Sequence, residues 1–253
     1  MRPIVELKDV TNRFGAQVVH DRINFTLKES ETLGVVGGSG SGKTVLLRTI
    51  LGLNKPKEGQ VLFEGADLYR LSPEESLGIQ KRFGVLFQNG ALFSGLSVLD
   101  NVALPLREHT ALSAKSIEDL ALLKLQMVGL GAEAASKRPS ALSGGMATRA
   151  GVARAMALDP GILFLDEPTG ALDPIAASSI DELMRELHRI LHLTILIITH
   201  DPNTLVTVCD RIAMIVDGKV ESGTLDELLE STHPRVQEYF KDARMKAALA
   251  GRK

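Results

Sequence analysis

Thr32-Leu-Gly-Val-Val-Gly-Gly-Ser-Gly-Ser-Gly-Lys-Thr44 (TLGVVGGSGSGKT) is the stretch on which the reading of the chain turns. A short apolar run comes first, a glycine-rich loop follows, and Lys43-Thr44 opens a helical pattern running to about Gly52. Residues 37–44 satisfy G-x-x-x-x-G-K-[ST] in the strand–loop–helix order that gives the pattern its physical meaning. Gly37, Gly38, Gly40 and Gly42 let the backbone wrap around phosphate groups, and Ser39 and Ser41 add further backbone donors. The phosphate charge would be met by successive N–H groups, the helix N-terminus and Lys43. The Thr44 hydroxyl is suited to Mg²⁺.

Working outward, Phe83–Gln88, Ile162–Asp166 and Thr194–Thr199 are further short apolar runs separated by helical patterns. Continuous runs of this kind suit strands buried on both faces of a parallel sheet, so the expected class is α/β. Ligands bind at the carboxyl ends of such strands. Ile162-Leu-Phe-Leu-Asp166 ends in a carboxylate followed directly by Glu167. Asp166 is placed to hold a Mg²⁺ shell and Glu167 to orient or deprotonate a water; the plainer alternative is a pair that caps the helix after Pro168.

Several helix starts are written locally. Ser72-Pro73-Glu74-Glu75 and Thr224-Leu-Asp-Glu227 are capping patterns, and Asp173-Pro174 opens a helix with Ile180, Leu183, Met184, Leu187 and Leu191 on one stripe. Leu120, Leu123, Met127 and Leu130 suggest another apolar stripe within a long strand-free insertion. Asp217-Gly218 between two extended runs signals a hairpin. Ser143-Gly144-Gly145, ahead of an alanine-rich run, offers a favourable N-cap, accessible N–H groups and a helix dipole, which make a second anion site without a lysine.

The chain has 253 residues, 44% hydrophobic and 24% charged, with a net charge of -2, so no basic excess asks for nucleic acid or an acidic membrane. A lone Cys209 excludes an internal disulfide framework and reads as inert core. No apolar run approaches the roughly 18 residues of a membrane span, and the first residues lack a signal peptide's apolar region. The expectation is a cytosolic chain that meets a membrane only through a partner.

Taken in order, the phosphate loop, Gln88 at a strand end, Leu142-Ser-Gly-Gly145, Asp166-Glu167-Pro168, Ala171-Leu-Asp173 and Thr199-His200-Asp201 resemble the ATP-binding cassette (ABC) ATPases over essentially the whole chain. The resemblance implies a P-loop NTPase (RecA-like) core with a mostly parallel sheet, a small antiparallel β subdomain and an inserted helical subdomain. It implies one domain over residues 1–240, with the core at about 1–88 and 161–231, the helical part at about 89–160, and a tail at 232–253. It implies ATP and Mg²⁺, with Phe14 stacking on adenine unless it is an ordinary core phenylalanine. Gln88 would reach Mg²⁺ and the attacking water, His200 the γ-phosphate, and Asp173 the other subunit of a dimer. Ser143, Gly144 and Gly145 would lie over the γ-phosphate held by a second copy, making a head-to-tail homodimer with two ATP between subunits. ATP hydrolysis then rests on Lys43, Thr44, Asp166, Glu167, Gln88 and His200.

One residue departs from the family. Met146 stands where most members have glutamine, and it cannot return a hydrogen bond to the N-cap as the third residue of a capping box does. Together with Leu86–Phe93 and Leu99–Thr110, this Ser-Gly-Gly-Met resembles a narrower group, the MlaF-type ATPases of bacterial lipid transporters that work with MCE-domain proteins. That group implies a homodimer on the cytoplasmic side of the inner membrane, a permease of the MlaE kind, an MCE lipid-binding protein and a small STAS-domain regulator. The rival within transport is an importer subunit for amino acids or another small solute. A nucleic-acid or ribosome module would want a second cassette or a long coiled-coil insertion, and neither is present. Gly90, Ala91, Leu92, Phe93, Leu96, Val98 and Leu99 form an apolar run that either docks the permease or packs inside the insertion. The tail either contacts a neighbouring subunit or is a solvated helix.

Overall fold

The computed structural model describes residues 2–251; Met1 at the start of the expected core and Arg252 and Lys253 at the end of the expected tail lie outside the described residues. The chain divides into two compact units, Met1–Leu77 with Thr194–Lys253, and Gly78–Leu193.

The first unit begins with β1 (Pro3–Phe14) and β2 (Gln17–Lys28), joined through Gly15, followed by β3 (Thr32–Gly37) and α1 (Lys43–Ile50). Then come β4 (Glu58–Phe63) and the short β5 (Ala66–Asp67). Strand β1 pairs antiparallel with both β2 and β4, giving a four-stranded sheet in the order β2-β1-β4-β5. Val5, Leu7, Val10, Ile23, Phe25, Leu27, Val61 and Phe63 are buried, the alternation expected of a sheet with one covered face. α1 stops two residues short of Gly52: Gly52 takes φ +75, and Leu53 N–H donates to the Arg48 carbonyl at 2.8 Å, closing a Schellman end that needs glycine there.

Helix α2 (Pro73–Gln80) runs across the division between units. The second unit holds β6 (Phe83–Leu86), then α3 (Val98–His109), α4 (Ala114–Met127), α5 (Ala132–Ala135) and α6 (Gly144–Ala155). It closes with β7 (Ile162–Asp166) and α7 (Pro174–Leu191), with β6 and β7 parallel. The expected stripe on α4 holds only in part: Leu130 beyond its end is buried and Leu120 and Met127 are half-buried, but Leu123 is 49% exposed, and the residues that face inward on the helix are Ile117, Ala121, Lys124 and Leu125. A 3.6-residue period admits two stripes a residue or two apart, and the buried one includes Lys124, whose ammonium is neutralised by Asp159. On α7 the stripe is as expected through Leu187, while Leu191 at its end is exposed.

The chain returns to the first unit with β8 (Thr194–Ile198), α8 (Pro202–Thr207), β9 (Arg211–Val216) and β10 (Lys219–Gly223). β3 lies between β8 and β9, parallel to both, and β10 closes antiparallel on β9 through Asp217 and Gly218, each at positive φ. α9 (Leu225–Leu229) starts with a complete capping box between Thr224 and Glu227. α10 (Pro234–Phe240) and α11 (Ala243–Ala250) form the tail, and they are packed: Val236, Phe240 and Met245 are buried against Val36, Leu205, Ile212 and Met214. Cys209 belongs to the flank of the same cluster.

Candidate functional site

In the first unit the phosphate loop connects the end of β3 to α1. Its final residue, Gly42, is the N-cap of α1 at φ +101; no side chain caps the helix and no acidic residue sits in its first turn. A helix whose leading N–H groups meet no side-chain acceptor leaves them available to an anion. Lys43 folds back over the loop, its Nζ donating to the Gly37 carbonyl at 2.8 Å and the Gly38 carbonyl at 3.2 Å. Side-chain positions built at Gly38 and Gly40 point into open space, so the loop has room above it for a ligand. Thr44 is exposed at the mouth of α1.

Gly38, Ser39, Gly40 and Ser41 share a cavity of about 790 Å³ with His200, the β9–β10 hairpin and residues of α10 and α11, among them Arg235 and Tyr239. That volume is in the range that accepts a small-molecule ligand. His200 follows β8 on a turn fixed by Asp201, whose N–H donates to Thr199 Oγ1 at 3.0 Å and whose carboxylate accepts from Asn203 N–H at 2.9 Å. Phe14, at the end of β1, is 50% exposed; the core-phenylalanine alternative does not hold, and the ring offers a free aromatic face.

In the second unit, Asp166 ends β7 and Glu167 follows at φ +52. A non-glycine residue held there costs of order 1–3 kcal/mol, and such conformations concentrate at functional sites. Gln88 is exposed at the head of a 3-10 turn, Gln88–Ala91, after β6. The backbone beyond it is clamped from two helices. Arg154 of α6 donates to the Ala91 carbonyl at 2.8 Å and the Gly90 carbonyl at 3.0 Å, and its guanidinium lies 5.9 Å from the Phe93 ring centroid. Asn101 of α3 accepts from Phe93 N–H at 2.7 Å and donates to the Phe93 carbonyl at 3.1 Å. Phe93 itself is 55% exposed, whereas Val98 and Gly90 of the same apolar run are buried, so the run is divided between packing and surface.

Ser143 is the N-cap of α6, its Oγ accepting from Met146 N–H at 3.3 Å. A side-chain position at Gly144 would lie 3.0 Å from the Leu172 Cδ2 methyl, and one at Gly145 in ordinary contact, 3.5 Å, with Ala176 Cβ. Arg149, one turn on, donates to Ser179 Oγ at 2.6 Å and to the Val128 carbonyl. Asp173 caps α7 by accepting from Ile175 and Ala176 N–H, both at 3.0 Å, and presents Ile175 at 85% exposure.

Among the described residues no group of three or more His, Cys, Asp or Glu forms a metal cage. Mg²⁺ does not ask for one, since a hydroxyl and one or two carboxylates completed by phosphate oxygens and water suffice; Thr44 in the first unit and Asp166 in the second each offer one donor of that kind. No described helix is long and apolar enough to cross a membrane.

Residues 20–170 match the ABC transporter family. The chain belongs to that family. Among its ABC relatives, the intermembrane phospholipid transport system ATP-binding protein MlaF of Haemophilus influenzae is 43% identical over 94% of this chain and 90% of its own length. MlaF of Escherichia coli K12 is 38% identical over 94% of this chain and 88% of its own. A probable ribonucleotide transport ATP-binding protein, mkl of Mycobacterium leprae, is also 38% identical, over 95% of this chain and 70% of its own. Of solved ABC structures, the dimeric post-hydrolysis state of the MJ0796 cassette bound to ADP and Pi superposes with a TM-score of 0.79 at 34% identity, covering 87% of this chain and 98% of that one. cbiO1 of Clostridium perfringens does so at 0.82 and 26% identity, covering 99% of this chain and all of the other. The ABC fold expected from the motifs is therefore the fold of this chain. His20 and Asn12 on the first two strands and Asn101 on α3, all buried polar residues, carried no role in the sequence reading; their only signal is a polar residue where the strand or helix period wants an apolar one.

Proposed function

We propose that this ABC protein is the ATP-hydrolysing subunit of a bacterial transporter that moves phospholipid between membranes. The observation that carries the lipid reading is the 43% identity to MlaF of H. influenzae along nearly the full length of both chains. The exposed phosphate loop with its uncapped α1 supports the nucleotide reading.

In this reading the loop from Gly37 to Gly42 and Lys43 take the phosphates, and Phe14 takes the adenine face. Thr44, Asp166 and Gln88 would hold Mg²⁺, which would supply neutralisation of the charge that builds on the transferring phosphate. Glu167 accepts a proton from the attacking water, and His200 donates a hydrogen bond toward the γ-phosphate. The first N–H groups of α6 receive the γ-phosphate bound to a second copy, and Asp173 reports to that copy. Phe93 and its exposed neighbours dock a membrane permease on the cytoplasmic face of the inner membrane. An MCE-domain protein completes the assembly, joined by a STAS-domain regulator in the systems that carry one.

The test is reconstitution of the chain with its co-purifying permease in phospholipid vesicles, with ATP-dependent movement of labelled phospholipid and of labelled ribonucleotide followed side by side. Phospholipid movement, abolished by Glu167→Gln, is the expected result; movement of ribonucleotide alone would transfer the chain to the activity named for mkl.

A further inference from the structure

Beneath the phosphate loop lies a buried polar chain that the catalytic reading does not use. His20 on β2 and Asn12 on β1 are directly opposed in the antiparallel register, and they are 0% and 1% exposed. His20 Nδ1 lies 3.0 Å from Asn12 Oδ1, and Asn12 Nδ2 donates to Thr49 Oγ1 on α1 at 3.1 Å. Thr49 sends its own proton to the Val45 carbonyl at 2.8 Å and also accepts from Asn54 Nδ2 at 3.3 Å. Tyr69 closes the far end, its hydroxyl 2.9 Å from the Thr49 carbonyl and 2.7 Å from that of Asn54.

The bonds from Val45 through Thr49 and Asn12 set the direction of the protons that reach His20. Because the Thr49 hydroxyl is committed to Val45, Asn12 must face it with its amide nitrogen, which turns Oδ1, an acceptor only, toward His20. Nδ1 of His20 therefore carries the proton in the neutral ring, and Nε2 is left as a bare lone pair. Nε2 is fully buried, makes no hydrogen bond of normal geometry, and points at Gly42: a Cβ on Gly42 would sit 2.5 Å from it. Val19 Cγ1 lies on the same spot, 2.6 Å from that Cβ position. Burial pushes the imidazole down to about 4, against a smaller raising pull from the Gly42 backbone, so the ring is neutral at physiological pH.

A loop with glycine at four of the six positions from 37 to 42 has little stiffness beyond the bonds that Lys43 and the Ser41 N–H make to its carbonyls, and α1 has no side-chain cap to set its first turn. Its lower surface is where rigidity enters. We propose that His20 is a positioning residue for the phosphate loop: oriented by Asn12 and butted against Gly42, the ring holds that glycine at its left-handed turn and so aims the first N–H groups of α1, Lys43 and Thr44 at the phosphates. The proposal rests on the nucleotide reading of the loop.

The test uses the full chain, with Kd for a fluorescent methylanthraniloyl-ATP with Mg²⁺, steady-state ATPase constants, and Tm. His20→Phe keeps a ring of similar size and removes both nitrogens; nucleotide Kd and KM should rise about tenfold with kcat within about twofold, as for a loss of binding shared by ground and transition states. His20→Gln, which restores a donor toward Asn12, should recover most of that affinity. The double variant His20→Phe/Asn12→Leu removes the polar group stranded by the single change, so Tm should recover while Kd stays raised. An unchanged Kd in His20→Phe, or a Kd that recovers in step with Tm in the double variant, overturns the proposal. If His20→Phe does not fold, His20→Gln against His20→Met decides it by the same Kd comparison. Absence of nucleotide binding by the unmodified chain would instead strike the nucleotide reading itself.

Discussion

Two glycine-led helix starts in this molecule look alike in sequence and differ in construction. α1 begins after Gly42, uncapped by any side chain, with a lysine folded over the loop and a buried histidine beneath it. α6 begins after Ser143, which already engages the N–H of Met146. The first start holds its donors in reserve and owes its shape to the protein below; the second satisfies part of its own end and owes its shape to the helix dipole and a serine. The lesson is that an anion site can be built by support or by capping, and that the two fail differently when changed.

The largest difference should come from Lys43→Ala. It removes the only side-chain cation within the loop while leaving every backbone donor, and it should weaken ATP binding by about a hundredfold or more, on the scale of a lost charge-assisted contact to phosphate; equilibrium binding of labelled ATP checks it. Weakening by less than about tenfold would mean that the backbone donors of α1 suffice alone, as α6 is read to do.

Next comes the support beneath α1. His20 titrates near 6.5 when unfolded and at about 4 when folded, so between those values the unfolded chain binds the extra proton. Stability conferred by the neutral ring is therefore fully present above about pH 6.5 and is lost as pH falls toward 4, with a slope of at most about 1.4 kcal/mol per pH unit. Thermal unfolding across pH 4–7.5 should show this limb, and His20→Phe should flatten it. α6 has no titratable group at its cap and should contribute no such slope.

The smallest effects belong to the α6 cap. Ser143→Ala should cost about 1 kcal/mol of stability. Met146→Gln should add a few tenths to 1 kcal/mol by allowing the capping box already complete at Thr224 and Glu227. Denaturant midpoints of the two variants, measured together, give the sign of each.

Much of this was legible from residues alone. The loop, the carboxylates at the end of β7, the hairpin at Asp217-Gly218 and the caps at Asp173 and Thr224 are local patterns, because each depends on backbone chemistry within a few residues. The stripe on α4 was partly misread because two faces of one helix carry leucines and only tertiary packing chooses between them. His20, Asn12 and Asn101 could not be found, since their meaning lies in partners up to 37 residues away, as with Asn12 and Thr49. The course of the tail was open for the same reason: nothing in its alanine-rich run says that Phe240 and Met245 meet a core built from β9 and α8.

That packed tail has a practical consequence. Because α10 and α11 supply one wall of the cavity beside Gly38–Ser41, shortening the chain at Lys241 would leave the phosphate loop intact in sequence yet strip Met245 from the apolar cluster that shores up its flank. A trimmed protein chosen for convenience would thus be a different nucleotide-binding protein, one whose leaving and entering ligands pass an opening that the natural chain keeps narrower.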